Sequence, residues 1–347
     1  MACLALAPYR LHASAGTEGA SFLDIPVGAG PAAMGAAYAA LATDAYAPTS
    51  NPGGLGFLKG TELAAQHLSY IQSIRYDHFG FVTPLGHDPS VHRGLGVSIQ
   101  DVGTGDIPRT DVLNGSPVTG LGSFSSRWDA YTLSYGQTVT DKMSLGLSGK
   151  MIHASIDDVA ASAYAVDAGS LYRWDEKLSL AATVTNVGSK LTFLSEGDNL
   201  PMAVHAGAAY RPNQKWLIST EGVYPRTGMG SFHIGGQWQP VESVSLRAGY
   251  KTDTLKGLNA LAGLTAGFGL QVWGQELAYA WTPYGELGSA QYISLLIRFG
   301  AAPEGRRNLI QVPTRREPRI ARAEQPRTAA MDDQQFVQLL QQTESTH

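Results

Sequence analysis

Between Trp128 and Met151 the chain reads WDAYTLSYGQTVTDKMSLGLSGKM, and the alternation in this stretch decides the fold class. In its first half Tyr131, Leu133, Tyr135 and Val139 share one parity, opposite Thr132, Ser134, Gly136 and Thr138. After the short polar turn Thr140–Lys142, Met143, Leu145, Leu147 and Met151 alternate with Ser144, Gly146, Ser148 and Lys150. Period two on both sides of a tight turn predicts an antiparallel hairpin with one apolar and one polar face. The same alternation returns in VSLRAGYK (Val244–Lys251) and in YISLLIRFG (Tyr292–Gly300), where Ile293, Leu295, Ile297 and Phe299 oppose Ser294 and Arg298.

A soluble sandwich alternates too, so the hairpin alone leaves a sandwich and a membrane barrel open. Tryptophan placement separates them. Trp174, Trp216 and Trp238 stand beside short turns on the apolar parity of their strands, and Trp273 lies at a further turn. A buried core draws indoles to strand centres, whereas a membrane interface draws them to strand ends. Trp281 and Tyr284 are expected to form the opposite girdle. Short turns (TDK, DEK, PNQ, PVES) alternate with longer connections (DDVAAS, SEGDN, PRTGMG, TDTLKG), and the longest connection runs from about Thr104 to Arg127. Two unequal rims are the mark of an antiparallel meander between two compartments.

These signals predict an all-β membrane protein, a 14-stranded antiparallel transmembrane β-barrel over residues 59–300. Strands are expected to begin near Thr61, Ile74, Arg93, Arg127, Met143, Ala161, Leu178, Leu200, Trp216, Ser231, Val244, Leu258, Gln275 and Gln291. An even count leaves both barrel ends on the short-turn, periplasmic side of a bacterial outer membrane. Composition agrees by exclusion. Among 347 residues only 16% are charged and the net charge is −4, which gives no footprint for nucleic acid. No run of apolar residues is long enough for a transmembrane helix. Cys3 is the one cysteine, so a disulfide within the chain is ruled out.

Outside the barrel, residues 1–15 (MACLALAPYRLHASA) read as an export-signal remnant with Ala13-Ser14-Ala15 as the cleavage pattern. Residues 16–58 are rich in Ala and Gly, with a helix expected near Ala32–Ala42 and a stop at Asn51-Pro52-Gly53-Gly54. A fourteen-strand lumen is too wide for its own side chains to fill, so this segment is expected to be a small helical hatch inside it. After Gly300, residues 301–330 form an Arg/Pro-rich linker. Residues 331–347 place Phe336, Leu339 and Leu340 on one stripe of a short amphipathic helix, expected to dock a periplasmic partner.

No catalytic motif is present, and no cofactor is expected. GAGPAAMG, at residues 28–35, imitates a dinucleotide fingerprint but has neither a preceding strand nor its spacing. His67, His78, His87 and His92 crowd one region without metal-ligand spacing and read as lumen or turn histidines. The charges on the inward parity are Lys150, Asp167, Glu221, Arg247, Lys251, Glu276 and Arg298. Either they hold the hatch, with Asp44 a partner from it, or they are charges that a wet lumen tolerates.

The stretch SFLDIPVGAGPAAMGAAYAALATDAYAPTSNPGGLGFL (residues 21–58) resembles the N-terminal signature of the PorV/PorQ family, which is related to FadL-like fatty-acid transporter barrels. Gly28, Gly30, Met34, Gly35, Asp44, Asn51, Pro52 and Leu55 carry the resemblance, with Phe22, Leu23 and Ala40. It continues through AVDAGSLYRW, VTNVGSKLTF, LPMAVHAGAAYRP, VSLRAGYKTD and YISLLIRFG. Gly53 stands where Ala is usual, Pro31 where Arg is common, and a tail follows the last strand. Resemblance to PorV/PorQ implies a plugged accessory of type IX secretion, embedded in outer-membrane lipid. It would bind exported proteins with a C-terminal signal domain and dock a larger translocon. Resemblance to FadL implies instead a passive transporter of small hydrophobic molecules, with Met34, Tyr38, Leu41 and Phe57 lining an apolar pocket. As plug residues packed on the wall those four need no ligand. The signature leans toward the secretion accessory.

Overall fold

The computed structural model describes residues 18–86, 91–113, 116–253 and 260–299. The export-signal and C-terminal-tail expectations therefore lie outside the described residues, as does His87.

Alternation fixes one face per strand, and the strands arrange that face outward around a closed ring. The chain runs β1 (Thr61–Ser69), β2 (Arg75–Leu85), β3 (Arg93–Pro108), β4 (Asp111–Leu113), β5 (Ser116–Val118) and β6 (Ser123–Thr138). It continues with β7 (Met143–Ile156), β8 (Val159–Arg173), β9 (Leu178–Gly188), β10 (Leu191–Phe193), β11 (Glu196–Asp198) and β12 (Ala203–Asn213). The last third holds β13 (Trp216–Pro225), β14 (Ser231–Val241), β15 (Val244–Lys251), β16 (Leu264–Val272), β17 (Gln275–Pro283) and β18 (Ser289–Phe299). Fourteen of these strands form a closed antiparallel barrel, sealed where β1 pairs with β18 from Thr61↔Phe299 to Ser69↔Gln291. The other four make two small hairpins in the connections, β4–β5 and β10–β11.

The starts at Thr61, Arg93, Met143, Leu178, Trp216, Ser231, Val244 and Gln275 coincide with the expected ones. The connection expected between Thr104 and Arg127 is mostly strand: β3 and β6 keep pairing to Pro108↔Ser123, past a bulge between Thr104 and Ile107. Hydrogen-bonding there outlasts the alternation that announces it. The expected start at Leu258 falls outside the described residues, and β16 begins at Leu264.

Outward residues are apolar and unprotected: Leu133 is 58% exposed and Leu147 60%, with Tyr131, Tyr135, Leu145 and Met151 beside them. An exposed apolar belt around a whole barrel is stable only in hydrocarbon. The belt runs from Tyr131 on β6 to Val139 just past its end, about the nine residues that a tilted strand needs to cross a bilayer. One step further along, it stops. His67, Asp77, Asp101, Asp129 and His153 pair in a row across β1, β2, β3, β6 and β7, directly beside the row Ala65, Phe79, Ile99, Tyr131 and Met151. Arg75 and Arg127 bridge Asp101 at 3.1 and 2.5 Å, and His67 meets Asp77 at 2.7 Å. This charged row marks the edge of the hydrocarbon on the long-connection side. At the short-turn edge Trp174, Trp216, Trp238 and Trp273 are exposed, and Trp216 stacks on Trp238 at 5.8 Å. Trp281 also faces out. Tyr284 does not: it lies past the end of β17 and packs edge-on against Tyr70, 5.4 Å away, among the buried cluster at the mouth.

Residues 18–58 lie inside the ring. The helix expected at Ala32–Ala42 is replaced by a short α1 (Ala29–Ala33), a run of turns, α2 (Ala47–Ser50) and a 3-10 helix Pro52–Phe57. Gly35 and Ala36 both adopt φ of 63°, which ends α1. Packing imposes that break, because a Cβ on Gly35 would lie 2.8 Å from the Tyr250 backbone nitrogen. At several of its contacts with the hatch backbone the wall residue is glycine. A Cβ on Gly146 would come within 2.2 Å of the Pro52 carbonyl oxygen, and one on Gly94 within 2.3 Å of the Leu55 oxygen. Gly146→Val is therefore expected to push the hatch off the wall and raise the leak of small ions in planar bilayers. Gly149→Val is the control, since a Cβ there meets nothing within 4 Å and the residue faces outward. Equal currents from the two variants would contradict this packing.

Candidate functional site in the barrel lumen

The hatch crosses the lumen from one rim to the other. It begins at the long-connection rim, where the Gly19 N–H donates to the Asn199 oxygen at 2.9 Å. It ends at the short-turn rim, where Arg173 sits over the Phe57 ring at 3.8 Å. Between them polar side chains of the wall satisfy its irregular backbone, as a non-helical buried segment requires. Glu221 accepts from the N–H groups of Tyr38 (2.9 Å) and Ala39 (2.8 Å), and from His205 Nδ1 at 2.8 Å. Thr265 accepts from Gly35 N–H at 3.0 Å and donates to the Ala33 oxygen at 2.9 Å. Ser219 donates to the Ala37 oxygen at 2.6 Å, Ser294 accepts from Ala29 N–H at 3.2 Å, and Gln66 accepts from Gly28 N–H. Asn51 is the hatch's own clasp. Its Oδ1 accepts from Gly53 N–H at 2.9 Å, while Nδ2 donates to Ala39 and Ser170 oxygens at 2.9 and 3.0 Å.

The seven inward charges divide by task. Glu221 holds the hatch directly. Arg247, Glu276 and Arg298 form a buried chain at 2.6 and 3.4 Å, which Arg298 extends to Glu62 at 3.6 Å. Lys150 and Asp167 pair at 2.7 Å, and Asn186 is bonded to both. Lys251 is 3.8 Å from Asp253 at the mouth. Asp44 accepts from the Tyr38 hydroxyl at 2.5 Å and from Tyr46 N–H at 3.0 Å. Burial pushes the Tyr38 hydroxyl well above the ordinary tyrosine value, which keeps it a donor.

Three cavities among the described residues adjoin the hatch. The largest, about 830 Å³, lies between residues 18–50 and the wall, and reaches the connections at Pro201 and at Thr227–Ser231. A second of about 530 Å³ adjoins it at the mouth, walled by Phe22, Tyr70, Trp128 and Tyr284. The third is only about 50 Å³, between the hatch and the Arg247–Glu276 chain. Of the four residues expected to touch an apolar ligand, Tyr38 borders the large cavity. Met34, Leu41 and Phe57 pack into one cluster with Leu171, Leu217 and Ala209 of the wall, and Met34, Tyr38 and Leu41 also line the small cavity. The aromatic mouth escaped sequence reading. Trp128 stands 6.2 Å from Phe22 and 6.0 Å from Phe193, which the β10–β11 hairpin brings back over the hatch. Parity alone could have flagged the Ser219 and Thr265 clasps, but nothing local marks Trp128, because it lies beyond the belt. Among the described residues no group of three or more His, Cys, Asp or Glu is placed to hold a metal ion.

These features define a class: a transmembrane β-barrel of the outer-membrane kind whose lumen is occupied by its own N-terminal segment. Among solved structures, a FadL homologue of Pseudomonas aeruginosa matches at a TM-score of 0.50, with 10% identity over 77% of this chain and 97% of that one. The toluene transporter TodX of Pseudomonas putida matches at 0.48, with 14% identity over 72% and 92%. The first likeness shows that the chain has a FadL-like barrel fold. No family model matches the chain, and no curated protein sequence does.

Proposed function

We propose that this barrel is a passive outer-membrane conduit for small, mostly apolar molecules, which enter from the long-connection rim and collect above the hatch. The carrying observation is the cavity of about 830 Å³ at that mouth, a volume typical of sites for small ligands. Leu23, Ile25, Val27, Tyr38, Val223 and Met229 give it apolar walls. A neighbouring aromatic vestibule adds flat surface for a ring to stack on. Below, the hatch bars passage to the short-turn rim, so release requires its clasps to shift. A secretion accessory with a merely plugged lumen has no use for such a cavity, and no feature of the described residues favours that role. In cells expressing the full chain, a labelled monoaromatic compound is expected to enter several-fold faster than in cells without it. Equal rates would overturn the proposal.

A further inference from the structure

Within the two mouth cavities, one charged group has no partner. Asp24, the last residue of the 3-10 helix Ser21–Asp24, borders both the large cavity and the aromatic vestibule. Its residue is exposed to them, yet no hydrogen bond or ion pair of the described residues reaches its carboxylate. Every other charge facing it is engaged. From the hatch, Glu18 accepts from Thr227. From β7, Lys150 is held by Asp167 at 2.7 Å. His205 of β12 and Glu221 of β13 are bonded to each other at 2.8 Å. His233 of β14 and Asp253, past β15, approach to 3.8 Å. Lys251 of β15, which lines the vestibule, lies 3.8 Å from Asp253. The lining is therefore acidic, with Glu18, Asp24, Glu221 and Asp253 against two lysines, Lys150 and Lys251, each turned toward an aspartate. Around this point stand the rings of Tyr70 and Trp128, whose faces attract cations, while the Tyr284 ring already carries Lys251 at 5.7 Å from its centre.

We infer that Asp24 is the counter-ion for a ligand ammonium group, so that the mouth selects small organic cations, an amine carried on an apolar or aromatic body, over neutral and anionic analogues. This rests on the conduit reading and names its substrate class. A charged amine supplies the missing donor to Asp24 while its body lies against Leu23, Ile25 and Met229. A carboxylate would meet Glu18, Asp24, Glu221 and Asp253 with no free cation among the lining groups. Burial, and then the nearby Glu18 carboxylate, raise Asp24 to about 7, so a bound cation relieves a cost already present in the empty site.

The test is binding of benzylammonium, benzyl alcohol and benzoate to the purified full-length barrel in uncharged detergent, followed by calorimetry or ligand-observed NMR. At pH 8 benzylammonium is expected to bind about tenfold tighter than benzyl alcohol, the usual worth of a charged hydrogen bond, and benzoate weakest. Asp24→Asn should erase the preference for the amine and leave benzyl alcohol unchanged. Lowering the pH from 8 to 5.5 protonates Asp24 and should weaken amine binding in the native chain. The part of this pH effect that Asp24→Asn removes is the part owed to Asp24. An amine that binds no tighter than the alcohol in the native chain overturns the inference whether or not the variant folds, as does absence of binding by all three. Uptake without an amine preference defeats this inference alone; preferential binding without uptake defeats the conduit alone.

Discussion

Deleting residues 18–58 is expected to turn a nearly closed barrel into an open pore, seen as a large rise in single-channel conductance in planar bilayers. Fourteen strands enclose more space than their inward side chains fill. Here the deficit is built in, because the wall carries glycine at Gly94, Gly136, Gly146, Gly235 and Gly249, where the hatch backbone now sits. With the hatch gone, those positions offer no side chain to close the gap, and water fills it. The clasps of Glu221, Thr265, Ser219 and Ser294 become ordinary lumen groups that water satisfies, so the barrel itself should still fold and remain heat-modifiable on gels. Unchanged conductance would mean that the connections at the mouth close the pore without the hatch.

Replacing Glu276 by Ala should be among the most destabilising single changes in the barrel. Its carboxylate is 2.6 Å from Arg247 and 3.4 Å from Arg298, and the three side chains are 7–11% exposed. Removing it strands two buried guanidinium groups, a change that typically costs about 3–5 kcal/mol. The lower end is expected here, because Gln237 still accepts from Arg247 at 2.8 Å and Glu62 stays 3.6 Å from Arg298. Denaturant unfolding from lipid vesicles would register the loss as a lowered midpoint. Arg247 also lies beneath Gly30 of the hatch, so the same variant should leak ions. The double variant Glu276→Ala/Arg247→Ala should recover part of the stability, because one of the two stranded charges is gone. A midpoint unchanged in the single variant would mean that lumen water, rather than Glu276, solvates these arginines.

Much of the barrel is legible locally. Side chains alternate across any strand, so a barrel in lipid must write apolar and polar residues in turn, and Tyr131, Leu133 and Tyr135 against Thr132, Ser134 and Gly136 are that constraint in plain form. Indoles at Trp174, Trp216 and Trp238 mark the membrane edge for the same reason, each needing a partly wet position. Pairing beyond the belt is less visible: β3 and β6 extend past it, where neither face must be apolar, and the alternation fades although the hydrogen bonds continue.

The hatch is where the sequence alone falls short. Its alanines favour helix, yet Gly35 and Ala36 take the left-handed conformation where Gly35 lies against the backbone of Tyr250, more than two hundred residues away. Met34, Leu41 and Phe57 are apolar enough for a ligand pocket, and only the closing of the ring packs them against the wall, with Met34 and Leu41 still bordering a cavity of about 50 Å³. Asp24 is an unremarked residue in SFLD until strands β7, β12, β13 and β14 place their charges around it and leave its carboxylate without a hydrogen-bond or ion-pair partner among the described residues. By itself the sequence determined the strands, their outward face and the membrane that faces it, since each follows from residues a few positions apart. The path of the hatch, the cavities beside it and the free carboxylate at the mouth were decided only by tertiary structure, because the groups that set them meet across a barrel and share no local pattern.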